Sequence, residues 1–207
     1  STLLLSRDCG QSWIRRVPLG DRVWDVAWTR DANAPALLLA SNKGLFRLAL
    51  RGDHTIEPVR GAPATTLYSV AVSATESARY AVAVGTRHEG IHFSARNAAD
   101  DSFREVLSPY LERKRFDIRQ LAFQQIDGHT TLWAGQTIPG RRDPGGGVIR
   151  IRLGVGAEPA KPERVADGWS DQPFGSCTTM TFIGADARWL VATTAAGRVV
   201  ELDTKAD

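Results

Sequence analysis

The sequence is poor in cysteine, methionine and lysine, and it has no long hydrophobic run. Its 207 residues hold two Cys, one Met and four Lys. Two thiols are too few for a disulfide framework or a four-cysteine zinc site. Cys9 and Cys177 could form one long-range bridge or remain two free thiols, and free thiols are the expectation. Apolar stretches are only a few residues long, far short of the roughly 20 that a membrane-spanning helix needs. No secretory hydrophobic core opens the chain. These absences favour a cytoplasmic protein with no membrane contact, and leave an extracellular or periplasmic one open. The chain starts at Ser1 rather than Met, which is read as the inside of a longer protein.

Charge of one sign is also scarce. The 26 Lys and Arg against 23 Asp and Glu leave a formal +3, a weak field for this size. Arginine outnumbers lysine 22 to 4, and with the abundance of Ala, Gly and Val this points to a GC-rich bacterial genome. With 43% hydrophobic and 24% charged residues the composition is ordinary and globular, which excludes disorder, collagen and coiled coil. What the chain has in quantity is Gly, 19 residues, and Pro, 10. Those numbers suit many short elements and few long helices.

One unit recurs. A first strand pattern lies at Arg22–Trp28, Leu67–Ser73, Ile118–Gln124 and Cys177–Ile183. A more apolar second strand follows at Ala36–Ser41, Arg79–Gly85, Thr130–Gln136 and Arg188–Thr194. A third opens on glycine at Gly44–Leu50, Gly90–Ala95, Gly147–Leu153 and Gly197–Asp203. A polar fourth strand is visible at His54–Arg60 and Ser102–Leu107, and faintly near Pro162–Ala166. The runs are short, rich in β-branched and aromatic residues, and bounded by Gly, Asn, Asp and Pro. Their glycines stand 46, 57 and 50 residues apart, near the roughly 40–50 of a four-stranded propeller blade. The expected fold is all-β: a β-propeller with four-stranded antiparallel blades, about four to five of them present. The units fall at about 1–20 (partial), 22–60, 67–107, 118–168 and 177–203, in one domain over 1–207.

The N-terminus adds a motif. Ser6-Arg7-Asp8-Cys9-Gly10-Gln11-Ser12-Trp13 resembles the Asp-box of BNR-type propellers, S-x-D-x-G-x-[ST]-W, at every fixed position. The repeat as a whole is similar to WD40 and YVTN propellers. The resemblance implies a turn between the third and fourth strands of a blade. In it Asp8 accepts local backbone N–H groups, Gly10 makes the tight turn and Trp13 packs between blades. An Asx acceptor and a φ-permissive Gly suit such a turn on ordinary grounds. The motif implies architecture and leaves function open, since the family includes sialidases, sortilin-like receptors, xyloglucanases and photosystem assembly factors. Trp24-Asp25 is a WD dipeptide, but it sits in a first strand and is read as chance.

The strand count does not close. Thr2–Ser6 and Ser12–Pro18 read as the third and fourth strands of a blade without its first two, and Gly197–Asp203 has no fourth strand after it. The chain is either a small propeller with an irregular closing blade or an excerpt of a larger one. Unpaired strand edges seek partners, and the excerpt is the favoured reading.

Little else carries chemistry. His88-Glu89-Gly90-Ile91-His92 spells the zincin motif, which works only when a helix stacks both histidines on one face. Here Gly90-Ile91 aligns with Gly44-Leu45 at the start of a third strand, so His88 and His92 flank a turn. The match is read as chance, with no metal and no cofactor. Sialidase chemistry would need an arginine triad, a Tyr–Glu pair and an acid. Tyr68 and Tyr80 fall in strand patterns and Tyr110 in a loop near Glu112. No catalytic residue is assigned. Two loops are basic: Arg113-Lys114-Arg115, and Arg141-Arg142 in a long insert over Ile138–Gly147. Between Arg104 and Arg152 nine basic residues face five acidic ones, so the positive charge concentrates there. Such a face suits an acidic or phosphate-bearing partner. Stacking aromatics for a nucleic-acid strand are sparse, with Phe116 alone nearby.

The expected function is recognition, as a scaffold or sensor module that binds a macromolecular partner and belongs to a larger multidomain bacterial protein. The partner is another protein or the remainder of the same one. A glycan-acting enzyme of the sialidase or glycoside-hydrolase kind and a stand-alone assembly factor are the alternatives.

Overall fold

The structure is a computed structural model. It describes residues 2–6, 8–18, 20–29, 31, 34–52, 55–73, 80–107, 110–111, 114–126, 129–137, 147–153, 163–164, 177–184, 187–194, 197 and 199–204. Every regular element among them is a β-strand.

A hairpin of β1 (Thr2–Leu5) and β2 (Ile14–Pro18) comes first. Blade 1 follows as β3 (Val23–Trp28), β4 (Ala36–Ser41), β5 (Gly44–Ala49) and β6 (Ile56–Pro58), hydrogen-bonded in sequence order. Blade 2 is β7 (Leu67–Val72), β8 (Val82–Thr86), β9 (Ile91–Ser94) and β10 (Arg104–Leu107). A small hairpin of β11 (Tyr110–Leu111) and β12 (Lys114–Arg115) leads into blade 3. That blade is β13 (Asp117–Ile126), β14 (His129–Thr137), β15 (Gly147–Leu153) and β16 (Glu163–Arg164). Blade 4 shows three strands, β17 (Cys177–Ile183), β18 (Trp189–Thr194) and β19 (Val199–Asp203). All pairings are antiparallel meanders. The first strands stand side by side, β3 beside β7, β7 beside β13 and β13 beside β17.

The strands differ from those expected in three places. The fourth strand of blade 1 spans Ile56–Pro58, with Thr55 and Val59 outside it, and that of blade 3 is described only at Glu163–Arg164, with Pro162, Val165 and Ala166 outside the described residues. Blade 2's second strand starts at Val82, not Arg79. Tyr80 precedes it, and its N–H is held by the Asn97 side chain at 2.6 Å rather than by the ladder. The stretch read as loop around Tyr110 and the first basic cluster contains two two-residue strands, β11 and β12.

The core lies between blades. Both faces of β4 are buried throughout, as its run Ala-Leu-Leu-Leu-Ala-Ser requires. Leu38, Ala40 and Leu45 of blade 1 pack on Leu67, Val70, Val82 and Val84 of blade 2. Ala83, Ile91 and Phe93 of blade 2 meet Ile118, Leu132, Ala134 and Ile149 of blade 3. Trp133 and Val148 of blade 3 meet Cys177, Met180, Leu190 and Ala192 of blade 4. Each fully buried aliphatic side chain contributes about 1.5–3 kcal/mol. Gly85 is what lets blade 3 come so close. A Cβ there would run into the Ser69 hydroxyl, and would stand 2.5 Å from Ile118 Cγ2 and 2.7 Å from the Ile118 carbonyl oxygen.

Candidate functional site

The four first strands share one irregularity. The β-ladder slips between Val23 and Asp25, Leu67 and Ser69, Ile118 and Gln120, and Cys177 and Thr179. A bulge leaves its extra residue unpaired and re-aims that side chain. The skipped residues are Trp24, Tyr68, Arg119 and Thr178, one per blade. They stand at the same end of the innermost strands, where those strands begin.

Trp24 and Tyr68 meet edge to face, with ring centroids 4.9 Å apart. The Arg119 guanidinium lies 3.8 Å from the Tyr68 ring centroid, and that of Arg22 lies 3.8 Å from the Trp24 centroid. Trp24 Nε1 donates to Asn42 Oδ1 at 2.7 Å. Beyond Arg119 the row continues through Asp117, whose Oδ2 is 3.1 Å from an Arg119 guanidinium nitrogen and whose Oδ1 is 3.1 Å from His88 Nδ1. Asp117 is buried, and His88 and Arg119 are about one-third exposed. The order Arg22, Trp24, Tyr68, Arg119, Asp117, His88 thus places two edge-to-face rings between two cations, then ends on a carboxylate and an imidazole. It crosses three blades.

The turns between second and third strands border this row, because antiparallel pairing returns each second strand to the end where the first began. One is Asn42-Lys43, where Lys43 Nζ pairs with Asp21 at 3.0 Å. Another is the turn at His88-Glu89-Gly90, where His88 has φ 76°. Strand β12, Lys114–Arg115, enters β13 on the same side. Arg113, Arg141 and Arg142 lie outside the described residues.

Asp25 ties the row to the fold. Its Oδ2 accepts the Val70 N–H of the next blade at 2.9 Å and its Oδ1 accepts the Val26 N–H at 2.8 Å. Burial raises its pKa, partly offset by those two bonds. The WD dipeptide read as chance therefore joins blades 1 and 2: Trp24 through Tyr68 and Asp25 through Val70.

His88 and His92 have different neighbours. His88 faces Asp117, while His92, on β9, places Nε2 3.2 Å from the Glu89 carbonyl oxygen, and burial lowers its pKa. Among the described residues no cluster of three or more His, Cys, Asp and Glu could hold a metal ion. Asp25 accepts two backbone N–H groups, whereas Asp117 Oδ1 and His88 Nδ1, 3.1 Å apart, are both buried and make no hydrogen bond.

The Asp-box residues form the β1–β2 turn. Ser12 N–H donates to Asp8 Oδ1 at 2.8 Å, and the Ser12 hydroxyl bonds Asp8 Oδ2. The Ser6 hydroxyl donates to Asp8 Oδ1 at 2.8 Å and accepts the Gly10 N–H at 2.6 Å. Gly10 takes φ 89°, which a side chain would resist. The Ser12 hydroxyl and N–H, then Ser6, hold the Asp8 pKa down at about 2. One expectation fails: Trp13 is 61% exposed, so it fills no gap between blades.

Cys9 is exposed and Cys177 buried, both as free thiols. Among the described residues no helix is long and apolar enough to cross a membrane.

Sequence reasoning missed Arg22, Trp24, Tyr68 and Arg119 as a group. The signal existed. Aligning Val23 with Leu67, Ile118 and Cys177 puts Trp24, Tyr68, Arg119 and Thr178 in one column.

No family model matches the chain, and no curated protein matches it. Among solved structures it is similar to the Dos1 propeller, with a TM-score of 0.63 and 14% identity over 89% of this chain. That alignment spans 45% of the Dos1 propeller chain, so this chain covers less than half of that length. A slighter likeness is to BBS1N, solved in complex with ARL6DN and soaked with mercury. It has a TM-score of 0.41 and 11% identity over 94% of this chain and 69% of that one. Four consecutive antiparallel blades, ordered side by side, and the likeness to the Dos1 propeller give this chain the β-propeller fold.

Proposed function

We propose that this chain is a recognition module that binds an acidic protein segment on the face where its innermost strands begin. The observation that carries it is the bulge row. Three blades project Trp24, Tyr68 and Arg119 to one spot, with Arg22 and His88 at its ends and strand β12 entering on the same side. A guanidinium over a ring can still offer N–H groups to carboxylates.

An acidic protein suits this surface better than a nucleic acid. Tyr68 is nearly buried, and each ring of the row is already covered by a guanidinium. Base stacking needs an open aromatic face. The turn chemistry of Ser6, Asp8, Gly10 and Ser12 supports placing the propeller in the Asp-box class, and the composition supports a bacterial source. A role beside further domains of a multidomain protein fits a module that reads partners and carries no assigned catalytic group.

The test is titration of the protein with a glutamate-rich peptide by calorimetry at two salt concentrations. Binding should weaken with salt and fall at least tenfold in Arg22→Glu, a side chain on the exposed rim. Undiminished binding by the variant, or a preference for a single-stranded oligonucleotide of equal charge, would overturn the reading.

A further inference from the structure

The turn between the second and third strands of blade 2 is longer than its counterparts in blades 1 and 4. Two residues separate Ser41 from Gly44, and two separate Thr194 from Gly197, each pair being joined by a hydrogen bond. In blade 2 Thr86 bonds the Gly90 carbonyl across three residues, Arg87, His88 and Glu89. The extra residue carries the turn to blade 3. Arg87 forms an isolated antiparallel bridge with Asp117, and His88, at φ 76°, brings its ring to the Asp117 carboxylate. Residues other than glycine seldom hold that left-handed conformation, and those that do cluster at sites that use it.

His88 Nδ1 and Asp117 Oδ1 meet at 3.1 Å, both buried and both without a hydrogen bond. A buried carboxylate oxygen with no donor is unfavourable, and the imidazole is the group placed to supply one. A protonated imidazole carries N–H on both nitrogens, so Nδ1–H then faces Oδ1 whichever tautomer preceded it. The ring is one-third exposed, which gives it room to turn and gives the proton a route from solvent. The other carboxylate oxygen, Oδ2, already accepts from Arg119 at 3.1 Å. Asp117 therefore offsets Arg119 alone while His88 is neutral, and is shared between two cations once His88 is charged.

We propose that His88 is a pH switch for the acid-binding row: taking up a proton, it closes a hydrogen-bonded chain His88–Asp117–Arg119 and adds one positive charge to the face. This rests on the acidic-partner reading and supplies its regulation. Acid strengthens binding, because the added charge appears as pH falls. The charged groups around His88 come from four elements. Arg87 and Glu89, exposed in its own turn, carry opposite signs. Blade 3 contributes Asp117 and Arg119, the latter over the Tyr68 ring, and Lys114 and Arg115 enter on β12. Histidine is the side chain that changes charge between about pH 5 and 8. A second one, His92 on β9, stands across from Glu105 on β10 with its Nε2 at the Glu89 carbonyl, and serves as the control.

The probe is a hexa-aspartate peptide, titrated by calorimetry into the 207-residue protein at about pH 8 and about pH 5.5 and constant ionic strength. Affinity should rise about two- to fivefold at the lower pH, the worth of one added surface charge, with proton uptake on binding by reciprocity. His88→Gln should lose the rise and His92→Gln should keep it. His88→Arg, charged at both pH values, should bind at the higher pH as the parent does at the lower. In the protein alone, the Arg119 Nε–H resonance should move together with the His88 ring resonances as pH falls. Equal affinity of the parent at both pH values, a rise that survives in His88→Gln, or an Arg119 resonance indifferent to the His88 titration would overturn the switch and leave the acidic-partner reading standing. No binding by any form at either pH would overturn both.

Discussion

Gly85→Ala tests how tightly the blades are fitted. The new methyl would point from β8 into blade 3, toward Ile118 Cγ2 at 2.5 Å and the Ile118 carbonyl oxygen at 2.7 Å. One of those neighbours is backbone and cannot rotate away. The Ser69 hydroxyl, also in the methyl's path, donates to that carbonyl at 3.0 Å. Either blades 2 and 3 separate or the bond is lost. Overpacking of a tight core costs about 1–3 kcal/mol, and a lost buried hydrogen bond adds about 1 kcal/mol. Restricting the unfolded chain by replacing glycine returns about 0.4–1 kcal/mol. The net expectation is a loss of about 1–3.5 kcal/mol. Urea unfolding, read as a shift in midpoint at constant slope, measures it. Gly20→Ala is the control: no atom lies within 4 Å of the place its methyl would take and its φ is not left-handed, so it should be neutral or slightly stabilising. A Gly85→Ala midpoint equal to that of Gly20→Ala would refute the close-approach argument.

Other outcomes follow from single groups. At pH 8 a thiol reagent should label exposed Cys9 in the native protein and reach Cys177 only after unfolding, because burial pushes the Cys177 thiol up to about 12; equal native rates would contradict this. Asp8, lowered from 3.8 to about 2, favours the folded turn above its unfolded pKa, and that benefit is lost as pH falls through about 2. Exchange at the Ser12 amide should therefore gain an acid-dependent opening below about pH 4 that Asp8→Asn lacks. Asp25→Ala should cost about 1–3 kcal/mol in unfolding free energy, since the buried Val70 N–H loses its acceptor; a change below about 0.5 kcal/mol, the range of a surface substitution, would remove the WD pair from the blade contact.

Much of the fold is legible in the sequence because it is local. Strand period, the twofold-apolar run Ala36–Ser41 and the glycines at Gly44 and Gly147 each follow from residues within one hairpin. The Asp-box turn is the clearest case, since Ser6, Asp8, Gly10 and Ser12 bond to one another. The first-strand, third-strand and turn positions were therefore set by sequence alone. The contacts between blades were not. Whether Trp24 meets Tyr68, Asp25 meets Val70, or His88 meets Asp117 depends on residues 29 to 45 positions apart and on a bulge that no single strand pattern announces. Nor does any local pattern foretell that Trp13 is left open to solvent, or that Val26 and Trp28 stand exposed. Exposure is a property of what lies opposite, and only the stacking of one blade on the next decides that.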